Sequence, residues 1–231
     1  MTSSTRSSRP RASSSTTRPN LLVIAGPSGV GKTTIATELV RRDRGLVLSV
    51  SATTRPPRSS ERNGVDYLFL SDQAFDEVVA AGGFLEWASV HGRRYGTPRD
   101  QVERAIHAGK TVVLEIDVQG ARQVRAALPD ATTVFIEPPS WEVLRARLTD
   151  RRTESDEALQ ERLRNAEVEM QAASEFSHRV VNENLEDALA QVSRILDGIP
   201  DPGPTDGPAD GPADGPADGS ADGSADRPAK E

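Results

Sequence analysis

The sequence predicts an α/β fold, a largely parallel sheet flanked by helices, and three observations predict it. Short apolar runs recur along residues 20–199. Patterns with helical spacing separate them. The first run also leads directly into Gly26-Pro27-Ser28-Gly29-Val30-Gly31-Lys32-Thr33, which fits G-x-x-x-x-G-K-[ST]. Strands that alternate with helices imply βαβ units and hence a sheet with mostly parallel strands.

Taken in order, Leu21–Ala25 reads as a buried strand, and Ile35, Leu39 and Val40 after Thr33 form a helical stripe, with Glu38, Arg41 and Arg42 on other faces. The strand–loop–helix context is what makes the glycine motif a phosphate-binding loop. Gly26, Gly29 and Gly31 allow a tight backbone whose N–H groups turn inward, and the helix N-terminus adds its positive end. Lys32 is expected to reach the outer phosphates of a nucleoside triphosphate, and the Thr33 hydroxyl to bind Mg²⁺. With Pro27, Ser28, Val30 and Thr34, these residues form the candidate triphosphate-binding stretch, which the family resemblance stated below makes the ATP-binding one.

Leu46–Val50 reads as the second strand, 111–116 as the third, 132–136 as the fourth, and Val180-Val181 as part of a short fifth. The helices between them show as stripes: Val102, Ala105 and Ile106, ending at Gly109; Ala121, Val124 and Leu128, stopped by Pro129; Trp141, Leu144 and Leu148; Leu159, Leu163, Ala166 and Met170; and Leu185, Leu189, Val192 and Leu196. Residues 54–97 break the alternation. A structureless loop of that length is unusual in a compact domain, so this stretch is expected to be an inserted subdomain of short strands and one helix carrying Phe75, Val78 and Val79. The arginine-dense segment from Thr149 to Asp156 joins two helices, where a mobile lid belongs within about residues 138–170.

The ends differ from the middle. Residues 1–19 hold four arginines and no acid, with almost no apolar residue, and read as a disordered basic arm; a transit peptide is disfavoured for want of an apolar helical face. Residues 200–231 contain Asp-Gly-Pro-Ala repeats from Asp206, then Asp-Gly-Ser-Ala, and read as an acidic tail without a core, a solubilising extension or a partner-binding segment. The net charge of −7 divides into +4 on the arm, −6 on the tail and −5 on the body, so most of the acidity is solvated tail. With no cysteine, disulfides, cysteine–metal sites and thiol catalysis are excluded, which fits a cytoplasmic protein. No apolar run approaches the roughly 18 residues of a membrane span. His91, His107 and His178 show no metal-ligand spacing.

The remaining motifs carry a resemblance. Ser49-Val50-Ser51-Ala52-Thr53-Thr54-Arg55-Pro56-Pro57-Arg58 is followed by Asn63-Gly64-Val65-Asp66-Tyr67, Phe84-Leu85-Glu86-Trp87, Tyr95-Gly96-Thr97-Pro98 and Leu114-Glu115-Ile116-Asp117-Val118-Gln119-Gly120. This set, in this order and behind the loop, resembles guanylate kinase over about residues 20–198. The resemblance implies a P-loop NTPase-type sheet with a GMP-binding insert and an arginine-rich lid. It implies Mg²⁺-dependent transfer of the ATP γ-phosphoryl group to GMP. The partners it implies are ATP and GMP, with neither a nucleic acid nor a membrane.

It also implies roles. Arg55, Arg58, Tyr67 and Tyr95 would hold the 5′-phosphate of GMP, two guanidinium forks and two phenols around a dianion. Ser51, Glu86, Thr97 and Asp117 match guanine-contacting positions. Guanine offers N1–H and an amino group to one carboxylate, whereas adenine would face Glu86 with a lone pair, which gives a physical basis for selectivity. Thr97 also stands where a helix N-cap before Pro98 would stand. Arg147, Arg151 and Arg162 match the arginines that clamp the ATP phosphates and, with Lys32, carry catalysis. Asn182 matches an adenine contact. The chain departs from the family pattern at Arg152, where a lid glycine is expected, at Thr33, where serine is commoner, and at His178, where tyrosine is common. Two rivals stand beside this reading: a same-fold kinase with another acceptor such as a ribose bisphosphate, and a non-enzymatic scaffold related to guanylate kinase. The guanine set argues against the first, and the intact Lys32, Thr33 and lid arginines against the second.

Overall fold

In the computed structural model, residues 18–90, 92–149 and 156–199 are described. The predicted basic arm up to residue 17, the repeat tail from residue 200, Arg151, Arg152 and His91 lie outside them. The elements are β1 (Leu21–Ala25), α1 (Lys32–Arg42), β2 (Leu46–Leu48), β3 (Ala52–Thr53), β4 (Leu68–Phe69), α2 (Asp72–Ala80), β5 (Phe84–Val90), β6 (Arg93–Pro98), α3 (Arg99–His107), β7 (Thr111–Glu115), α4 (Val118–Ala127), β8 (Thr132–Glu137), α5 (Trp141–Thr149), α6 (Asp156–Gln171), β9 (His178–Val181) and α7 (Leu185–Leu196).

β1 is buried along its whole length because it is the middle strand of a five-stranded parallel sheet, in the order β2-β7-β1-β8-β9. A strand covered on both faces needs apolar side chains on both, which is why Leu21–Ala25 reads as an unbroken run. Leu22 and Ile24 pack with Ile35, Leu39, Leu144, Leu189 and Val192 of the helices on one face. Leu21, Val23 and Ala25 pack with Val102, Ala121, Val124 and Phe176 on the other. The five core strands and the flanking helices fall where periodicity puts them. Two stripes extend too far. Leu128 is 37% exposed and lies beyond α4, where Pro129 ends the helix; Trp141 at the start of α5 is 39% exposed, while Leu144 and Leu148 are buried.

The second strand is shorter than its apolar run. Ser49 N–H still donates to Val113 O, but the Gln101 side chain then accepts from Val50 N–H and from the Ser49 hydroxyl. That amide of α3 lifts the chain out of the core sheet, and a second, four-stranded sheet begins at Ala52, in the order β4-β3-β6-β5. β5 and β6 form its antiparallel hairpin. α2 covers it, with Phe75 packed on Phe84 at 4.5 Å between ring centroids. Ser71 caps α2 by accepting from Ala74 N–H. The expected insert is therefore a small mixed sheet with one helix and its own apolar cluster.

The loop between β1 and α1 is packed from behind. Gly26 has φ +143°, and a Cβ there would overlap the carbonyl oxygen of Ile136 in the neighbouring strand. Backbone in a buried strand cannot yield as a side chain can. Gly26→Ala is therefore expected to lower stability by about 2–4 kcal/mol in chemical unfolding. A loss below the error of the measurement would mean that β8 gives way at Ile136.

Candidate functional site

The loop lines a cleft of about 630 Å³ above the carboxyl ends of β1 and β7, within the range of small-molecule sites. Lys32 Nζ donates to the carbonyls of Gly26 and Pro27, at 2.7 and 3.0 Å. Thr33 Oγ1 donates to Glu115 Oε1 at 2.6 Å. Glu115 ends β7, so it reaches the cleft from the strand beside β1. Arg162 of α6 donates to Ser28 Oγ at 2.9 Å, and the Ser28 backbone N–H donates to Glu169 of the same helix at 3.3 Å. Arg147 of α5 is half-buried behind the loop, 3.5 Å from Val30 O and 3.4 Å from Asn182 O. Asn182 is buried, and its side-chain amide donates to Val30 O at 2.7 Å. In this structure the residue matched to an adenine contact thus braces the loop. Arg162 and Arg147 converge on the same loop from two helices.

The second half of the site is on the insert sheet. Arg55 follows β3 and is clasped by Glu61, Nη2–Oε1 at 2.8 Å and Nη1–Oε2 at 3.0 Å. Its guanidinium carbon is 5.3 Å from the Tyr67 ring centroid and 5.9 Å from that of Phe69, within cation–π range. Glu61 also accepts from the backbone N–H of Arg58, whose own side chain is 75% exposed. Tyr67 and Tyr95 meet edge to face at 6.1 Å. So Arg55, Tyr67 and Tyr95 form one cluster, and Arg58 stands at its solvent edge. The Tyr67 phenol is pushed up, first by burial and then by the charge of Glu115, which ties this cluster electrostatically to the loop side of the cleft.

Glu86 is the buried acid of the site, 5% exposed. In β5, Phe84, Leu85 and Glu86 are all buried, which a regular strand with alternating faces does not do. The cause is an irregularity in the β5–β6 register between Phe84 and Glu86, which turns Glu86 inward opposite Thr97. Thr97 Oγ1 donates to Glu86 Oε1 at 2.6 Å. Thr97 caps no helix: the residue at the start of α3 is Pro98, because the Thr97 hydroxyl is already committed to Glu86. Asp117 does cap one, accepting from Gly120 N–H at 2.7 Å at the start of α4. Ser51 lies just before β3, with its carbonyl accepting from Leu68 N–H. Burial pushes the Glu86 carboxyl up to about 7. The Thr97 hydrogen bond opposes that shift and the Asp117 charge adds to it.

Comparison with known proteins agrees with this geometry. The sequence profile described as guanylate kinase matches residues 18–198. A guanylate kinase of Leifsonia xyli is 50% identical over 186 residues, covering 80% of this chain and 73% of its own. One of Thermobifida fusca is 51% identical over 176 residues, covering 76% and 90%. The crystal structure of guanylate kinase from Anaplasma phagocytophilum superposes with a TM-score of 0.65 at 32% identity, covering 79% of this chain and 86% of that one. The chain belongs to the guanylate kinase family.

Three acids of the candidate site, Glu115, Glu61 and Glu169, carry no motif of their own. Glu115 was visible as the one acid ending the apolar run 111–116, next to the loop strand. Glu61 was hidden in a polar, arginine-rich stretch, where its partner Arg55 could not be chosen from spacing alone. Glu169 lies on α6 far along the chain from Ser28, a purely tertiary contact. Among the described residues no three His, Cys, Asp or Glu side chains gather as a metal cluster. The hard oxygens of Thr33 and Glu115, bonded to each other at the cleft, are the pair suited to an ion such as Mg²⁺, which keeps waters and shares substrate phosphates.

The raised Glu86 carboxyl has a consequence for folding. Its folded value of about 7 lies above the ordinary 4.5. Its contribution to stability is full below about 4.5 and is lost as the pH rises through about 7. Between pH 5 and pH 8, Glu86→Gln is expected to gain stability relative to the parent chain by up to about 3 kcal/mol in denaturant titrations. A constant difference between the two proteins would mean that Glu86 titrates normally.

Proposed function

We propose that this chain is an ATP:GMP phosphotransferase, a nucleoside monophosphate kinase that converts ATP and GMP to ADP and GDP. The observation that carries the reading is the buried Glu86–Thr97 pair, whose carboxyl feels the charge of Asp117, a residue that lines the same cleft as Lys32 and Thr33 of the loop. A buried carboxylate with a hydroxyl on one oxygen is built to accept from the N1–H and amino edge of guanine. The loop supplies N–H groups and positive charge to the phosphates of ATP.

In this reading Arg55, Tyr67 and Tyr95 hold the GMP phosphate, with Arg58 closing on it from the solvent edge. Glu61 keeps the Arg55 fork oriented until the phosphate arrives. Ser51 and Asp117 complete the guanine contacts, and Asn182 keeps the loop seated beside the adenine end of ATP. Thr33 and Glu115 are the residues that would hold Mg²⁺, which supplies positive charge to the phosphoryl oxygens. Lys32, Arg147 and Arg162, with Arg151, provide the rest of that charge. A phosphoryl group in transfer spreads charge over three oxygens, so placement and positive charge dominate the catalysis. The GMP phosphate is itself the nucleophile and needs no general base. Closure of the insert over the cleft would exclude water from the reacting phosphoryl group, and the arginine-rich segment from residue 150 to 155 lies outside the described residues. No helix among the described residues is long and apolar enough to cross a membrane. A cytoplasmic location, where both nucleotides are held, is part of the proposal.

The test is an ADP-release assay with Mg²⁺–ATP and GMP, AMP, CMP or UMP. Turnover confined to GMP supports the reading; turnover with none of them points to another acceptor. Two substitutions separate the halves of the site. Lys32→Ala is expected to cut kcat about 100-fold or more with little change in GMP binding. Arg55→Ala is expected to raise the KM for GMP about 10- to 100-fold while the KM for ATP holds. Equal damage to both substrates by Arg55→Ala would remove it from the acceptor side.

A further inference from the structure

The two oxygens of Glu86 have different neighbours. Oε1 accepts from Thr97. Oε2 faces the bare backbone of Gly120 in α4 so closely that a Cβ there would overlap it, while standing 3.0 Å from Glu86 Cδ and 3.4 Å from Asp117 Oδ1. Gly120 is buried inside a helix and is not among the glycines with positive φ. Helix geometry therefore gives no reason for glycine at this position, and alanine would be the better helix former. What requires glycine is the carboxylate of another element.

Gln123 is three residues on, so it shares a face of α4 with Gly120. Its side-chain amide donates to Trp87 O at 2.7 Å and accepts from Trp87 N–H at 3.2 Å. Trp87 is the neighbour of Glu86 in β5. Trp87 N–H and C=O point away from the sheet partner here, and one amide satisfies both. The Gly120 N–H also donates to Asp117. The helix thus fixes the backbone beside one guanine-facing acid, leaves space for its carboxylate, and holds the other acid by its own cap.

We propose that Gly120 and Gln123 are positioning residues for base recognition: α4 sets the place of the Glu86 carboxylate, Gly120 by leaving room for it and Gln123 by fixing the strand that carries it. The proposal rests on the guanine reading of Glu86. A methyl group at position 120 would meet the far end of a flexible side chain, so the cost falls on the position of Glu86 and not on the fold. The displaced carboxylate would leave Thr97 and move toward water. Loss of the Gln123 amide would leave the Trp87 backbone groups without their partner and let β5 shift against α4.

The experiment compares the parent chain with Gly120→Ala and Gln123→Met in steady-state kinetics with ATP, GMP and AMP, in thermal unfolding, and in a pH titration of the Glu86 carboxyl by carbon NMR. For Gly120→Ala we expect an unfolding temperature at or above that of the parent and an unchanged KM for ATP. The KM for GMP should rise about 10-fold or more with a smaller change in kcat, and the preference for GMP over AMP should shrink. The Glu86 midpoint should fall from about 7, since burial is its largest cause. Gln123→Met, close in shape but without the amide, should raise the KM for GMP in the same selective way. GMP kinetics within about twofold of the parent in both variants, or equal losses for ATP and GMP, would overturn the proposal. If the parent chain does not turn over GMP, the guanine reading fails, and the titration still decides the positioning claim: an unmoved Glu86 midpoint in Gly120→Ala overturns it.

Discussion

The constraint on which the rest of the structure depends is the turn from β1 into α1. β1 is the central strand, buried on both faces, and the chain must leave it and enter a helix within a few residues while presenting backbone N–H groups to the cleft. The turn is held from beneath on several sides. Ile136 of β8 closes on Gly26, Leu148 of α5 on Gly29, and Asn182 after β9 on Gly31. Arg147 and the Asn182 amide both reach the Val30 carbonyl. Glycine is the only residue that tolerates such approach, so the motif spacing and the sheet order are two expressions of one packing requirement. Glu115 and Asp117 reach the cleft because β7 is the strand next to β1.

The insert is built differently. It is a small sheet with a modest apolar cluster, joined to the core by Leu85 of β5, which is buried in one cluster with Val102, Val118 and Ala121, and by polar clasps. Gln101 takes the backbone where β2 ends, and Gln123 takes it beside Glu86. These amides fix the register of the joint with directional bonds. The arginine contacts are equally directional. Arg55 is held by Glu61, and Arg162 by Ser28, so each guanidinium fork is held in a fixed place on its own side of the molecule.

The core was legible in the sequence because its strands are buried on both faces and its helices are amphipathic. Leu21–Ala25, the loop and the stripe of α7 need no tertiary information. What was not legible are features where a distant side chain overrides a local pattern. The end of β2 is set by Gln101, some fifty positions away. Thr97 looked equally suited to cap α3 and to face a ligand, and Glu86 decided between them. The inward turn of Glu86 comes from a register irregularity that no alternation pattern encodes. Among the residues of the candidate site, Lys32 and Thr33 follow from the spacing of the loop motif, and the cluster of Arg55 with Tyr67 and Tyr95 follows only from the family resemblance, whereas Glu61, Glu115 and Glu169 act through contacts that exist only once the chain is folded.

In the proposed reaction an ionised, buried Glu86 reads the base. The most direct measurement is the affinity for GMP, by calorimetry, between pH 8.5 and pH 6.5, where the nucleotide phosphate stays mostly doubly ionised. Glu86 titrates near 7 in the unliganded protein and must be ionised to accept from guanine. The account predicts that the dissociation constant rises about fourfold over this interval, with a midpoint near 7, and that the rise is absent in Glu86→Gln. An affinity that stays flat down to pH 6.5, or the same slope in Glu86→Gln, would contradict it.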